Sequence, residues 1–123
     1  FQVDANNLVR FGRGTVNNQF VGAYTAAGTT KSVVVTTAAP VGWVHFAITW
    51  DAGADEVKVY MAGAQTGTTQ TGLGIWAGSL ATTTTTIGAA STSGGNPWSG
   101  YVAHVAVWAS ALNATQILAL ATV

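Results

Sequence analysis

Four carboxylates are the only acidic side chains in this chain: Asp4, Asp51, Asp55 and Glu56. Hydrolysis of a glycosidic bond needs two of them flanking the bond, about 5 to 9.5 Å apart. Three of the four sit in one tight turn, residues 51–56, and no strand is rich in carboxylates. The protein is therefore expected not to be an enzyme. The same three acids raise a different chemistry. Calcium takes roughly six to eight oxygen ligands, carboxylates among them. Asp51, Asp55 and Glu56, helped by turn carbonyls, offer a partial set. The competing reading is structural, because Asp is favoured in turns, where its side chain bonds its own backbone. No other cofactor is expected.

The remaining polar and aromatic candidates are few. His45 and His104 each stand alone in an apolar run, with no Asp or Glu at triad or metal-ligand spacing. They are expected to be packed, hydrogen-bonded side chains. Arg10 and Arg13 flank Gly12; two charges make no anion-binding patch, and a turn with solvated arginines is expected. Of the five tryptophans, Trp43, Trp50 and Trp108 fall within strand patterns and are expected in the core. Trp76 and Trp98 fall in Gly-rich loops, beside Gln70, Ser79, Asn96 and Ser99. A sugar stacks its apolar face on an aromatic ring while amides and hydroxyls hold its rim. Loops on a rigid scaffold are where binding residues collect. Trp76, Trp98, Asn96 and Gln70 are thus the candidate ligand contacts. The alternative is that both rings fold back over the ends of the domain.

The elements that must position these residues are strands. In residues 43–50, Val44, Phe46, Ile48 and Trp50 alternate with Trp43, His45, Ala47 and Thr49. A period of two with one apolar face marks a strand. Residues 51–56 form a polar, glycine-containing turn. Val57, Val59 and Met61 then alternate with Glu56, Lys58 and Tyr60, giving a second strand with one wet face. The two make an antiparallel hairpin. Before it, residues 1–7 alternate weakly, residues 8–11 form a short strand ended by Gly12 and Gly14, and residues 19–24 and 31–37 form two more. Pro40 separates these from the hairpin. After it, residues 66–74 suit a loop or an edge strand, and residues 74–78 a loop with an aromatic tip. The threonine run of residues 82–87 has high β propensity and predicts a strand. Residues 91–100 are a long turn. Residues 101–108 predict a last strand with two apolar faces, central and covered on both sides. Asn113 then caps a helix, with Gln116 completing a capping box and Leu112 and Ile117 a hydrophobic staple. Ile117, Leu118 and Leu120 supply its docking side. Many short strands separated by Gly-rich turns indicate an antiparallel sandwich.

Composition narrows the function. The 123 residues are 49% hydrophobic and 7% charged, with four basic and four acidic residues. A zero net charge excludes a phosphate-binding face and so a nucleic-acid partner. Cysteine is absent, which removes disulfides and thiolate metal sites. The longest apolar run, residues 101–109, contains His104 and falls far short of the about 20 residues that span a membrane. No signal-peptide pattern opens the chain, and it begins at Phe1 without Met; a processed chain or a segment of a longer one is expected. One domain, residues 1–123, is expected at this length. A surface this poor in charge suits either an assembly that hides much of it or a lineage rich in Ala, Thr and Gly.

Four features occur together. WVHFAITWD (residues 43–51) leads to VKVY (57–60) with Gly63, then Ile87 and Gly88, then WSGYVAHVAVW (98–108) and ALNATQI (111–117). This combination resembles the laminin G-like, concanavalin A-like jelly-roll family from Trp43 onward. Two positions depart from the family pattern: Ala62 where Asp is common, and Gln116 in place of the capping-box Glu. The resemblance implies an all-β, antiparallel two-sheet jelly-roll sandwich with a short C-terminal helix. It also implies an extracellular or virion-surface location and binding, often of glycans or cell-surface ligands, or adhesion. Some family members bind calcium, and some relatives are glycosidases. A structural decoration or fibre domain, packed against other protein subunits, is the alternative.

Overall fold

A computed structural model describes residues 1–14, 16, 19–36 and 42–122. Seven strands form two antiparallel sheets. The first sheet runs β1 (Gln2–Asp4), β2 (Asn7–Arg13), β3 (Gln19–Ala26) and β4 (Thr29–Thr36), adjacent in chain order. The second runs β5 (Phe46–Asp51), β6 (Glu56–Met61) and β7 (Ala64–Gln70). One helix, α1 (Ala114–Ala121), closes the chain. The expected all-β sandwich with a short C-terminal helix is what the chain forms.

Alternation builds the core. Val9 and Phe11 from β2, Phe20 and Tyr24 from β3, and Val33 and Val35 from β4 turn toward the second sheet. Ile48 and Trp50 from β5 and Val57 and Val59 from β6 meet them. Two apolar clusters result, one around Tyr24 and Val57 and the other around Phe20 and Val59, and Ile48 belongs to both. Fully burying an aliphatic side chain of this kind contributes about 1.5–3 kcal/mol. Phe11, Phe20 and Phe46 stack in the second cluster, with Phe20 and Phe46 ring centroids 4.7 Å apart. Gly22 is one of the places where the sheets press together: a Cβ there would collide with Val59 Cγ2.

The central hairpin forms as read, with Ile48 opposite Val59 and Trp50 opposite Val57. Its first strand starts later than expected, at Phe46. Residues 64–70 resolve into an edge strand. Strand β2 runs through Gly12 to Arg13, so Arg10 and Arg13 are exposed strand residues rather than turn residues. Pro40 and Thr37 lie outside the described residues.

Several expectations are corrected. Thr82–Thr84 is a single 3-10 turn, not part of a strand. The hydroxyls of Thr84 and Thr85 donate to the Ala81 carbonyl, and Thr84 also bonds the Gln2 carbonyl. Threonine's side chain competes with the ladder for backbone partners. Tyr60 is not wet but 3% exposed. Its face of the second sheet is not open, because α1 rests on β7 and on the turn at Gly63, which Leu118 touches. Residues 101–108 form no strand and are exposed; Tyr101 is 89% and Trp108 47% exposed. Among the described residues, no backbone–backbone hydrogen bond ties residues 99–112 to anything. A pattern with two apolar faces requires a ladder partner and cover on both sides, and this segment has neither. Trp43, expected in the core, is 73% exposed: it precedes β5, and its ring lies near that of Tyr101, centroids 6.4 Å apart.

The helix start is as the sequence reads. Asn113 Oδ1 accepts from Gln116 N at 3.0 Å, and Gln116 Oε1 accepts from Asn113 N at 2.9 Å. Ile117 is buried at 2% exposure, while Leu118 and Leu120 keep much of their surface in solvent.

Candidate functional site

A shallow, open groove of about 520 Å³ at one end of the sandwich carries one candidate ligand contact. Trp76 lines it, together with Tyr24, Trp50, Asp51, Leu80 and Ser110. Trp76 is half-buried. Its ring lies 5.7 Å from that of Tyr24, tilted by 37°, and it packs on the cluster around Val57. It is thus partly a core residue and partly a wall of the groove.

The loop carrying Trp76 is tied at both ends. At its start, Asp55 Oδ2 accepts from Gly72 N at 2.8 Å and Asp55 Oδ1 from Leu73 N at 2.7 Å. These two backbone donors, with a smaller contribution from Lys31, hold the Asp55 carboxyl below its ordinary value of 3.8. At its end, Asn7 Oδ1 accepts from Ala77 N at 3.0 Å. In the middle, Gly74 lies directly on the Ala26 carbonyl, where any side chain would clash. Trp76 Nε1 itself donates to the Gly78 carbonyl at 3.2 Å. The ring is therefore held in place by the protein's own contacts.

Asn7 has no counterpart in the sequence reading. It is buried at the start of β2, donates to Asp4 Oδ1, and accepts from both Ala27 N and Ala77 N. A lone Asn opening a strand carries no local signal of this long-range role. Tyr24, Trp50 and Ser110 also join Trp76 in the groove without having been singled out as contacts.

The other candidate residues are dispersed. Trp98 packs on the opposite cluster, its ring 6.3 Å from that of Phe20. Asn96 is exposed beside it in the loop, with a left-handed backbone. Gln70 is half-buried at the end of β7 and donates to the Thr68 carbonyl. None of these three lines the Trp76 groove. The acids have separate tasks. Asp51 Oδ1 accepts from Gly53 N and Ala54 N, as a turn residue does. Asp55 anchors the loop, and Glu56 pairs with Lys58. No cluster of three His, Cys, Asp or Glu able to hold a metal ion occurs among the described residues. His45 Nδ1 is buried without a hydrogen-bond partner, and His104 is exposed with a left-handed backbone. The expectation that both are packed and hydrogen-bonded is corrected, because neither lies in a strand ladder.

Comparison with known proteins settles the family. The sequence model of the concanavalin A-like lectin/glucanases superfamily matches residues 1–118. The chain belongs to this superfamily. A search of curated proteins returned no match. Among solved structures, this superfamily member is similar to an S-layer domain-containing protein (residues 221–444) from Clostridium thermocellum ATCC 27405, with 20% sequence identity and a TM-score of 0.47. That match covers 98% of this chain and 59% of the other. No helix among the described residues is long and apolar enough to cross a membrane.

Proposed function

We propose that this domain is a non-catalytic extracellular or virion-surface module that binds a glycan or cell-surface ligand in the groove walled by Trp76. The supporting observation is the convergence of Trp76, Trp50 and Asp51 on one concave surface. An aromatic wall presents a flat apolar face to the C–H face of a sugar ring. Asp51 uses Oδ1 for its turn and has Oδ2 to accept from a ligand hydroxyl. Ser110, also in the lining, supplies a hydroxyl. In this reading Asp55 is a positioning residue, because it holds the loop and not the ligand. Superfamily membership supports the binding role, since lectins give the superfamily part of its name.

The test is a glycan array run with calcium and again with a chelator. Binding in both conditions is the expected result. Binding that requires calcium would move the site to Asp51, Asp55 and Glu56. Trp76→Ala and Trp76→Phe then locate the contact. Trp76→Ala is expected to abolish binding and to destabilise by about 1–3 kcal/mol, because the ring is half core. Trp76→Phe keeps most of the packing and is expected to weaken binding at least tenfold with a smaller loss of stability. Full binding by Trp76→Ala would sink the assignment. Trp98, Asn96 and Gln70 lie outside this groove and apart from it, and Trp98→Ala is scanned in the same way as a separate variant.

A structural role, as a decoration or fibre domain packed against other subunits, is the second reading. The exposed, uncharged apolar stretch at residues 101–108 favours it, since contiguous exposed apolar surface marks interaction sites.

A further inference from the structure

We propose that Asp51 makes the Trp76 groove selective for glycans that carry no acidic group. This rests on the glycan reading above and adds the class of sugar that the groove accepts. The first support is the charge of the lining. Among the described residues, Asp51 is its only charged side chain. The chain's four Lys and Arg residues lie elsewhere. Arg10 follows Val9, which lines the groove, so its side chain points to the opposite face of β2 and is exposed. Arg13 is exposed further along the same strand. Lys31 lies at Gly72, near Asp55, and Lys58 pairs with Glu56. Glu56 stands opposite Asp51 across the hairpin. This end of the domain therefore sets three acids, Asp51, Asp55 and Glu56, against two bases, Lys31 and Lys58. One negative charge is in excess, on a chain whose net charge is zero. The positive group at the border of the groove is the Phe1 amine. It donates to the Val9 carbonyl at 2.9 Å, and burial holds it below its ordinary value of 8.0, which lowers its charge.

The second support is the hydrogen-bonding capacity of the lining. An ionised carboxylate accepts and cannot donate. Asp51 Oδ1 accepts from Gly53 N at 2.8 Å and Ala54 N at 3.0 Å, which fixes where the charge stands. Among the described residues, nothing donates to Oδ2. A sugar hydroxyl donates to such an oxygen in a charge-assisted bond. A ligand carboxylate or sulfate is itself acceptor-only. Against Oδ2 it gains no hydrogen bond and meets like-charge repulsion. The indole N–H of Trp76, a donor that an anion could use, is already bonded to the Gly78 carbonyl. The Ser110 hydroxyl both donates and accepts, so it does not discriminate. Asp51 is thus the specificity-determining side chain.

An array of matched pairs tests this on the full chain. Each pair is a neutral hexose oligosaccharide beside the same oligosaccharide with one CH2OH oxidised to a carboxylate. At about 20 mM salt the neutral member is expected to bind more tightly by on the order of fivefold. At about 500 mM salt, where charges are screened, that ratio is expected to shrink toward one. In Asp51→Asn the side-chain oxygen can still take the Gly53 and Ala54 amides. There the low-salt ratio is expected to fall below about twofold, with neutral binding weakened and the melting transition retained. A role for Asp51 in the turn alone would leave the ratio untouched. Equal or tighter binding of the acidic members, a ratio indifferent to salt, or an unchanged ratio in Asp51→Asn would each overturn the selectivity and leave the glycan reading standing. Binding of no pair, or binding that survives in full in Trp76→Ala, would overturn the glycan reading and this proposal with it.

Discussion

Asp55 shows how one side chain is read differently once its neighbours are known. In the sequence it is a turn residue and a candidate calcium ligand. In the fold its two oxygens take the Gly72 and Leu73 amides and set the loop that carries Trp76. Its folded-state pKa is lowered, so its contribution to stability is present above the ordinary value of 3.8 and is lost as pH falls through the lower folded value. The melting temperature is expected to fall across that acidic window. Asp55 has a left-handed backbone, φ 55°, which Asn also tolerates, and Asp55→Asn is expected to flatten this part of the profile and lower the neutral-pH melting temperature. An unchanged acid limb measured by calorimetry would show that other carboxylates carry it. Gly22 makes the opposite point, that a residue with no side chain sets the sheet spacing. Gly22→Ala is expected to cost about 1–3 kcal/mol in urea denaturation, since Val59 and Ile48 close over it and overpacking forces both sheets to shift. A neutral substitution would mean that the sheets separate there without penalty.

At the scale of elements, local chemistry was most legible where its partners are close in sequence. The capping box at Asn113 is complete within four residues, and both of its hydrogen bonds form. Asn113→Ala is expected to cost about 1 kcal/mol, with Asn113→Ser recovering most of it, as judged by chemical denaturation. A loss near zero would mean that burial of Ile117 alone holds the helix. The hairpin of β5 and β6 was legible for a similar reason: alternation and a short turn define its register locally. The threonine run shows the limit of propensity, because β-branching favours strands only where a ladder is available, and here threonine hydroxyls take backbone carbonyls instead. Residues 101–108 show the limit of periodicity. Their pattern states that two apolar faces exist; it does not supply the neighbours that would cover them.

For the whole molecule, the consequence is an apolar stretch in solvent on a domain with zero net charge. Such a surface has little electrostatic repulsion to oppose association. Self-association at high concentration is expected, together with binding of a hydrophobic dye. Val105→Lys combined with Val107→Lys is expected to suppress both, with stability unchanged within about 0.5 kcal/mol because both residues are about half exposed and belong to neither core cluster. Sedimentation and thermal melting check the two halves of that statement. Persistent association would place the contact on another face, such as that around Leu118 and Leu120.

Sequence alone carried the class of fold, the apolar faces of β5 and β6, the central hairpin and the helix cap. All of these follow from period-two alternation, turn chemistry or contacts within a few residues. The tertiary structure decided which aromatic joins which polar group. Trp76, Trp50 and Asp51 meet because two sheets and a loop converge, and Trp98, Asn96 and Gln70 do not join them. It also decided that Asn7 and Asp55, distant from Trp76 in the chain, fasten its loop. Those outcomes depend on packing between segments far apart in sequence, where the free energy of an element lies in the surface it covers and not in its own residue types.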